Sequence, residues 1–300
     1  MLHMESSLKI FAVIVTYNPD MDSFIRNLSA ILGQVDTIII VDNSNEENYQ
    51  ISLKNHVDNI SNVILIQPNE NLGIAYAQNI GFMQSLKLNA DFVITFDQDS
   101  SVDSDLIEVL YSEYTKIKDN YNYKIACIGP SVINERNNAR YEKYFKNSTQ
   151  LNESVYSVKS IISSGSLYSM DVFSAIGFNK AEWFIDSIDI EWCYRARYLG
   201  YHVLMTTNVA MKHNLGARDV KLPGGKSINI GSPFRLYYVF RNWIFSLREP
   251  QFDIKYKMKI LLMMPIKFII FSTVSPRVSR FRFMLKGIKD GLLKKHSFIK

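Results

Sequence analysis

Short apolar runs rich in β-branched residues recur along the first half of the chain, and each ends in polar residues before a helical pattern or a turn begins. Runs of this kind predict buried strands. Strands that alternate with helices predict an α/β fold, Rossmann-like, with a mostly parallel central sheet and helices on both faces. The predicted strands are residues 8–18, 37–43, 62–68, 91–99 and 124–132, and the predicted helices are residues 72–88 and 102–117.

The second half of the chain is less regular. A polar stretch over residues 134–158 predicts a loop excursion, and the Gly-rich residues 216–231 are expected to be mobile. Around them, the pattern predicts a helix near residues 171–176, a strand over residues 202–213 and a helix over residues 232–249.

The last fifty residues differ in charge from the rest. Residues 251–300 hold twelve Lys or Arg and two Asp, a net charge of +10, so residues 1–250 carry −5 of the overall +5. Residues 260–274 are almost wholly apolar, and basic residues flank them on both sides. Amphipathic basic helices are typical of segments that lie in a membrane interface. We therefore predict one domain over residues 1–250 and a C-terminal basic amphipathic helical extension over residues 251–300 that associates with a membrane surface.

Two alternatives for this extension stay open. It could be a helix buried against the domain, or its charges could bind nucleic acid. Bulky aliphatic residues interleave with the charges and no nucleic-acid motif is present, so we favour the membrane and expect no nucleic-acid partner. No apolar run predicts a transmembrane helix, and the N-terminal residues do not resemble a signal peptide.

Composition excludes a disordered chain and a disulfide scaffold. The chain is 47% hydrophobic and 21% charged, which is enough for a sizeable packed core. The two cysteines, Cys127 and Cys193, give neither a disulfide framework nor a metal-ligand spacing. A reducing compartment is therefore the simpler expectation.

Polar clusters follow three of the predicted strands. They are Thr16-Tyr17-Asn18, Asp42-Asn43-Ser44 and Asp97-Gln98-Asp99. Ligands of open parallel sheets bind outside the carboxyl ends of the strands, where these clusters should meet. Each cluster taken alone could be an ordinary turn, because Asn, Asp and Ser favour turns.

The Asp97-x-Asp99 pair suits a hard divalent cation, Mg²⁺ or Mn²⁺, that also holds a substrate diphosphate. The alternative is a helix cap by Asp99, Ser100 or Ser101, and both roles are compatible. No G-x-G-x-x-G follows the first strand and no Walker motif is present, so a nucleotide would be held in another way.

Several motifs together resemble the inverting family-2 glycosyltransferases, and the bacterial rhamnosyltransferase branch most. They are IVTYNPD, IIIVDNSN, NLGIAYAQNIG, FDQDS, SSGSLYS and FIDSIDIEWCYRARYLGY, in that order, within residues 8–245. The resemblance implies a GT-A fold, a nucleotide-sugar donor and a divalent metal. The implied nucleotide-binding residues are Thr16, Tyr17, Asn18, Asp42, Asn43, Asn71, Gly73, Asn79 and Asp97, and the implied metal ligands are Asp97, Asp99 and His213.

An inverting transfer needs a base that takes the proton of the attacking acceptor hydroxyl, and a positioned carboxylate can do this. The resemblance places that base at Asp189, six residues before Arg195. It places the acceptor or a diphosphate near Asp186, Glu191, Trp192, Arg235 and Arg241. The alternative is that these acids form a salt-bridge network on a helix, since Glu191 and Arg195 have the favourable i, i+4 spacing.

The resemblance therefore implies a hexosyltransferase that moves L-rhamnose from dTDP-L-rhamnose to a polyprenyl-diphosphate-linked glycan, as in O-antigen (lipopolysaccharide) biosynthesis. Such an enzyme would be peripheral, at the cytoplasmic face of the bacterial inner membrane. A UDP-sugar donor, of galactose or glucose, is the first alternative. A non-catalytic nucleotide-sugar-binding or membrane-binding protein is the second, but Asp97, Asp99 and Asp189 are all present, which argues against it.

Overall fold

A computed structural model describes residues 8–133, 141–212, 219–221, 227–229 and 231–295. The first half of the chain alternates strands and helices as predicted, with two further helices, α1 and α2, that the sequence analysis did not assign. Its elements are β1 (Ile10–Thr16), α1 (Met21–Leu32), β2 (Thr37–Asp42), α2 (Glu47–Val57), β3 (Val63–Ile66), α3 (Ile74–Lys87), β4 (Phe92–Asp97), α4 (Leu106–Asn120) and β5 (Ile125–Ile133).

The second half adds short strands, two 3₁₀ helices and the C-terminal helices. Its elements are a 3₁₀ helix (Glu142–Tyr144), β6 (Thr149–Gln150), β7 (Val155–Val158), β8 (Ser166–Ser169), α5 (Val172–Ile176), a 3₁₀ helix (Ala181–Trp183), α6 (Ile188–Tyr198), β9 (His202–Lys212), β10 (Asp219–Lys221), β11 (Ser227–Asn229), α7 (Pro233–Arg248), α8 (Ile254–Thr273) and α9 (Arg277–Leu292).

Nine strands form one sheet in the order β3-β2-β1-β4-β8-β5-β9-β7-β6. The α/β class is as predicted, but the sheet is mixed rather than mostly parallel. β1 to β4 pair in parallel, as do β5 and β9. β8 lies antiparallel between β4 and β5, and β7 is antiparallel to both β6 and β9. Pairing direction is a tertiary property, and a four-residue strand such as β8 carries no local signal for it.

Two predicted loops contain strands. Within residues 134–158, predicted as a loop excursion, β6 and β7 pair and extend the edge of the sheet. Within residues 216–231, predicted as mobile, β10 and β11 form a separate antiparallel pair. These strands are only two to four residues long, and the polar composition of both stretches gives no strand pattern from which to predict them.

Each face of the sheet is covered by its own apolar cluster, because successive strand residues point to opposite faces. In β2, Ile38 and Ile40 join the cluster beneath α1, α2 and α4, whereas Ile39 and Val41 join the cluster beneath α3, α5 and α6. Trp192 belongs to the second cluster, is 3% exposed and donates from Nε1 to Gly177 O at 2.9 Å. Trp192 does not line the cleft described below, and its predicted contact with an acceptor stays a prediction.

The C-terminal helices pack on α7, so the buried-helix alternative is correct for one of their faces. Leu236, Phe240 and Trp243 of α7 form a cluster with residues of α8 and α9. Gly287 allows the close approach of α9, since a Cβ there would lie 2.3 Å from Tyr237 O. Among the described residues, no helix combines the length and apolar character needed to cross a bilayer.

Candidate active site

A cleft of about 830 Å³ opens at the carboxyl ends of β1, β2 and β4. The loop before α3, the loop before α6, and residues of α7 and α8 complete its walls. The polar clusters that follow separate strands in the sequence therefore meet at one edge of the sheet. The predicted site residues that line the cleft are Thr16, Tyr17, Asn43, Asn71, Gly73, Asp97, Asp99, Asp186 and Arg235.

Asp42 lies beneath the cleft rather than in its lining. It is fully buried, and its carboxylate accepts hydrogen bonds from Thr16 Oγ1 at 3.0 Å, Ser44 Oγ at 2.6 Å and Gln67 Nε2 at 3.1 Å. Ser44 Oγ in turn accepts from the backbone N–H of Asn18 at 2.8 Å. Asp42 thus fixes the two strand ends, and a direct contact to a nucleotide stays a prediction.

Asn18 has a left-handed backbone, with φ of 45°. Its Nδ2 donates to Glu46 Oε1 at 3.1 Å, while its Oδ1 is buried and has no hydrogen-bond partner among the described residues. A buried acceptor without a donor costs about 1–3 kcal/mol. An N–H group of a ligand at this corner would satisfy it.

Asn79 is engaged away from the cleft. Its amide donates to Asn179 O at 2.8 Å and accepts from Asn179 N at 3.0 Å. The side chain therefore ties α3 to the segment that follows α5. Asn79 therefore positions these two segments and is not among the lining residues of the cleft. Its predicted place near the nucleotide stays a prediction.

Glu191 is 1% exposed and is held within the protein. Arg195 donates to it through Nε and Nη2, both at 2.9 Å, and Gln251 Nε2 donates to it at 2.9 Å. The salt-bridge alternative is therefore correct for Glu191, since these contacts use both oxygens of its carboxylate.

β4 ends at Asp97, and Asp99 lies in the turn that follows; both residues line the cleft. Ser164 positions this end, since its Oγ accepts from Asp97 N at 3.1 Å. The last residue of β9, Lys212, bridges to Ser101, so the strand ends beside the Asp97–Asp99 turn. His213, the third predicted metal ligand, lies outside the described residues.

Among the residues that the structure describes, no three potential ligands form a metal-binding group. Two carboxylates facing a cleft nevertheless fit Mg²⁺ or Mn²⁺. Such ions are commonly bound through one or two carboxylates, with waters and substrate phosphates as the other ligands.

The loop before α6 is strained. Phe184, Asp186 and Ser187 all have φ between 63° and 67°, a region that non-glycine residues rarely adopt. Gly73 makes room for this loop, because a Cβ there would lie 2.5 Å from the Phe184 ring. A loop of this shape needs strong support from its surroundings to persist.

Two adjacent buried residues of α7 give that support. Asn242 Nδ2 lies 3.0 Å from Trp183 O and 2.9 Å from both Ile185 O and Asp186 O. Arg241 Nη2 donates to Glu182 O at 2.7 Å and to Trp183 O at 3.2 Å. Both side chains are fully buried and support the loop, and the predicted contact of Arg241 with a diphosphate stays a prediction. The sequence analysis assigned no separate role to Asn242, which directly follows this arginine.

Arg235 binds Asp186 with both arms of its guanidinium, at 2.6 Å and 3.2 Å. The carboxylate has 17% of its side chain exposed and the arginine 43%. Both line the cleft. The two charges of this pair therefore offset each other within the cleft wall.

Asp189, the predicted base, is the second residue of α6 and is half-buried. Its pKa is raised to about 6, chiefly by burial and to a smaller extent by the charges of Asp97 and Asp186, against a hydrogen bond from Ile190 N at 2.8 Å that lowers it. Burial raises the pKa of Tyr144, and the negative charge of Asp189 contributes to this rise. Asp189 is not among the lining residues of the cleft, but it lies near enough to Asp97 and Asp186 for their charges to raise its pKa, which is suited to a general base.

One wall of the cleft comes from a segment that the sequence analysis assigned to the membrane. Lys267 and Phe271 of α8 line the cleft together with Phe234 and Val239 of α7. A signal for Lys267 was available, because it is the one basic residue inside the apolar run 260–274.

The fold is that of the GT-A glycosyltransferases. A crystal structure of S. aureus TarS 1–349 in complex with UDP-GlcNAc matches with a TM-score of 0.58 and 14% identity, over 95% of this chain and 81% of that one. A structure of GalNAc-T7 with UDP, GalNAc and Mn²⁺ matches with a TM-score of 0.56 and 16% identity, over 89% of this chain. The chain spans 58% of that GalNAc-T7 chain.

The sequence comparisons establish the family. Residues 11–177 match glycosyl transferase family 2. The chain is also 34% identical to the dTDP-rhamnosyl transferase RfbF of Shigella flexneri over 277 residues, which cover 88% of this chain and 86% of the relative. The chain belongs to glycosyltransferase family 2, and it is a glycosyltransferase.

Proposed function

We propose that this enzyme transfers L-rhamnose from dTDP-L-rhamnose, with inversion, to a glycan carried on a polyprenyl diphosphate. The observation that carries the choice of donor is the 34% identity to a dTDP-rhamnosyl transferase over 88% of the chain. The cleft supports the reaction class, since it combines the strand ends, a pair of carboxylates and a nearby carboxylate of raised pKa.

The donor nucleotide would lie across the ends of β1 and β2. Thr16, Tyr17 and Asn43 line this part of the cleft. Asn18 lies beside this part of the cleft rather than in its lining, and its Oδ1 has no donor among the described residues; the N3–H group of a thymine or uracil base could supply one, so this corner would fit dTDP and UDP equally. Asn71 Oδ1 accepts from Gly73 N at 2.9 Å and fixes the loop that borders the site.

Asp97 and Asp99, together with His213, would hold the divalent metal. When bound, the ion would stabilise the negative charge that develops on the leaving diphosphate. The position of the two carboxylates at the carboxyl end of β4 is fixed by the bond between Ser164 and the Asp97 backbone.

Asp189 would take the proton from the attacking hydroxyl of the acceptor. A base whose pKa is about 6 is ionised at neutral pH yet still able to accept a proton during the attack. Asp186 is less suited to this role, because its carboxylate is already bound by Arg235. The Asp186–Arg235 pair would instead hold the wall against which the acceptor binds.

The acceptor would reach the cleft from a membrane. α8 lines the cleft with Lys267 and Phe271, while the same helix exposes Leu262 (64%) and Ile269 (67%) outward. We infer that α8 and α9 dock on anionic lipid and hold the enzyme at the inner face of the cytoplasmic membrane, beside a lipid-linked acceptor.

A thermal-shift panel tests the donor, with dTDP, UDP, GDP and CDP each added with and without Mn²⁺. A ligand that binds only the folded state raises the melting temperature, by about 5 °C at a hundredfold excess over its Kd. We expect dTDP to give the largest shift and Mn²⁺ to increase it. Asp99→Asn should remove the increase due to Mn²⁺, whereas the control Asp105→Asn, an exposed acid at the start of α4, should keep it.

The other outcomes are informative. A shift with UDP alone would replace the donor by a UDP-sugar and keep the reaction class. No shift with any nucleotide would contradict the proposal and favour a binding protein that lacks catalytic activity on this scaffold.

A further inference from the structure

Lys267 is a half-buried cation on the wall of the cleft. It lies in the middle of α8, and its Nζ is 5.1 Å from the centre of the Trp243 ring and 6.0 Å from that of Phe271. Among the described residues, no carboxylate lies within ion-pair distance of it. The acids Asp97, Asp99 and Asp186 line the same cleft but do not pair with this lysine.

This arrangement is unfavourable without a ligand. Partial burial costs the Lys267 ammonium part of its hydration, and contact with aromatic rings offsets that loss only in part. Consistent with this, burial lowers the pKa of Lys267, and the charge of Lys259 lowers it further. Other basic residues of α8, such as Lys255 and Lys259, are exposed and can remain fully hydrated.

We propose that Lys267 is an anion-binding residue of the cleft that takes a diphosphate group of a substrate. The only positively charged side chains in the cleft lining that the structure describes are Arg235 and Lys267, and Arg235 is bound to Asp186. Lys267 is therefore the cation available for a new ligand. The diphosphate could belong to the donor nucleotide or to a lipid-linked acceptor, because both carry the same group.

The inference rests on the proposed use of diphosphate substrates, but its test does not need catalysis. Binding of dTDP with Mn²⁺, and separately of farnesyl diphosphate, would be measured by calorimetry for the full chain, Lys267→Gln and Lys267→Arg. The matched control is Lys259→Gln, an exposed lysine of the same helix that is not in the cleft lining; its loss removes a repulsion on Lys267 and should therefore not weaken binding. Loss of a charge-assisted contact should weaken binding about tenfold.

We expect Lys267→Gln to lose about tenfold in affinity for at least one probe, with Lys267→Arg and Lys259→Gln close to the original protein. Loss for dTDP alone would assign Lys267 to the donor, and loss for farnesyl diphosphate alone would assign it to the acceptor. Unchanged affinity for both probes would overturn the inference. If Lys267→Gln binds dTDP as the original protein does, the proposed donor is still supported. A failure of this inference can therefore be distinguished from a failure of the proposed function.

A second measurement uses the unmodified protein. Acetylation of each lysine would be followed by mass spectrometry with and without the same two probes. A diphosphate on Nζ should protect Lys267 and leave Lys259 reactive. If neither probe protects Lys267 at a concentration that saturates binding, the site is not where we place it.

Discussion

Asp189 lies in surroundings that favour its neutral form, although the proposed reaction needs the ionised form. Burial raises its pKa to about 6 from the model-peptide value of 3.8. The folded protein therefore binds this proton more tightly than the unfolded chain does. Stability is lost as pH rises between about 4 and about 6, and the full loss persists above pH 6. A residue that destabilises the fold at working pH is consistent with a functional role.

Asp189→Asn tests the base. We expect kcat to fall by about 10²-fold or more, because the amide cannot take a proton. The affinity for dTDP should change little, and the melting temperature at pH 7.5 should rise, because a half-buried charge is removed. At pH 4 the two proteins should be equally stable. A large loss of dTDP binding, or a lower melting temperature at pH 7.5, would instead show that Asp189 is structural.

The same pKa predicts the acid limb of the pH profile. Since the ionised base is the active form, log kcat should fall with a slope of one below pH 6, about tenfold per unit. The measurement is the initial rate between pH 4.5 and 8.5 with donor in excess. In Asp189→Asn this limb should be absent from the residual rate.

At the scale of elements, the loop before α6 depends on α7. The segment that contains its three residues with positive φ is held by hydrogen bonds from the side chains of Asn242 and Arg241 to backbone carbonyls. The loop carries Asp186 and leads into Asp189 at the start of α6. The site is thus positioned by a helix whose supporting residues never touch the cleft.

Asn242→Leu should expose this dependence, because leucine has a similar volume but no donor for the loop carbonyls. Unpaired buried carbonyls cost about 1–3 kcal/mol, so we expect the melting temperature to drop by several degrees. The rate of sugar transfer should fall by more than the loss of folded protein explains, while dTDP still binds at the ends of β1 and β2. The control is Asn120→Leu, an exposed residue at the end of α4. Stability and transfer equal to those of the control would contradict this role.

The sequence predicted the strands whose ends carry the site, because apolar runs ending in Thr16, Asp42 and Asp97 have a local signal. It also predicted the pairing of Glu191 with Arg195 as an alternative, because i, i+4 spacing is local. It did not predict the contacts of Arg241 with the loop before α6, since an arginine of a recurring motif can face a ligand or support a loop. That choice depends on the positive φ of Phe184, Asp186 and Ser187, which the pattern of side chains does not predict.

At the scale of the whole molecule, the C-terminal helices are two-sided. Ile260, Phe271 and Met284 pack on α7. The opposite side presents a C-terminal apolar face, whose exposed residues are Ile254, Met258, Leu261, Leu262, Ile266 and Ile269 of α8 and Val278, Phe281, Leu285 and Leu292 of α9. The Phe281 ring lies 5.4 Å from that of Phe268, so the two helices form adjacent parts of this face.

Basic residues border the C-terminal apolar face. Lys255 and Lys259 of α8 are exposed, and Arg277, Arg282 and Lys286 line a shallow groove at the start of α9. Apolar side chains bordered by cations match an anionic lipid surface, where the charges meet headgroups and the apolar face enters the acyl boundary. Removing residues 251–300 would not test this cleanly, because Lys267 and Phe271 of the cleft would be lost as well.

Point substitutions in the C-terminal apolar face separate docking from folding. In co-sedimentation with vesicles, we expect binding to phosphatidylglycerol vesicles and much weaker binding to phosphatidylcholine vesicles. The double variant Leu262→Asp/Ile269→Asp should lose about tenfold or more in affinity, since two apolar contacts are replaced by charges that anionic lipid repels.

The matched control for this variant is Ile51→Asp on α2, where the isoleucine is 50% exposed. Its vesicle binding should be unchanged, and dTDP should stabilise all three proteins equally. If the double variant binds vesicles like the control, the face does not dock on lipid. If the original protein is a dimer that the double variant converts to a monomer, with no vesicle binding in either, the face joins two copies of the chain. The lipid-linked acceptor would then have to reach the cleft without membrane docking through α8 and α9.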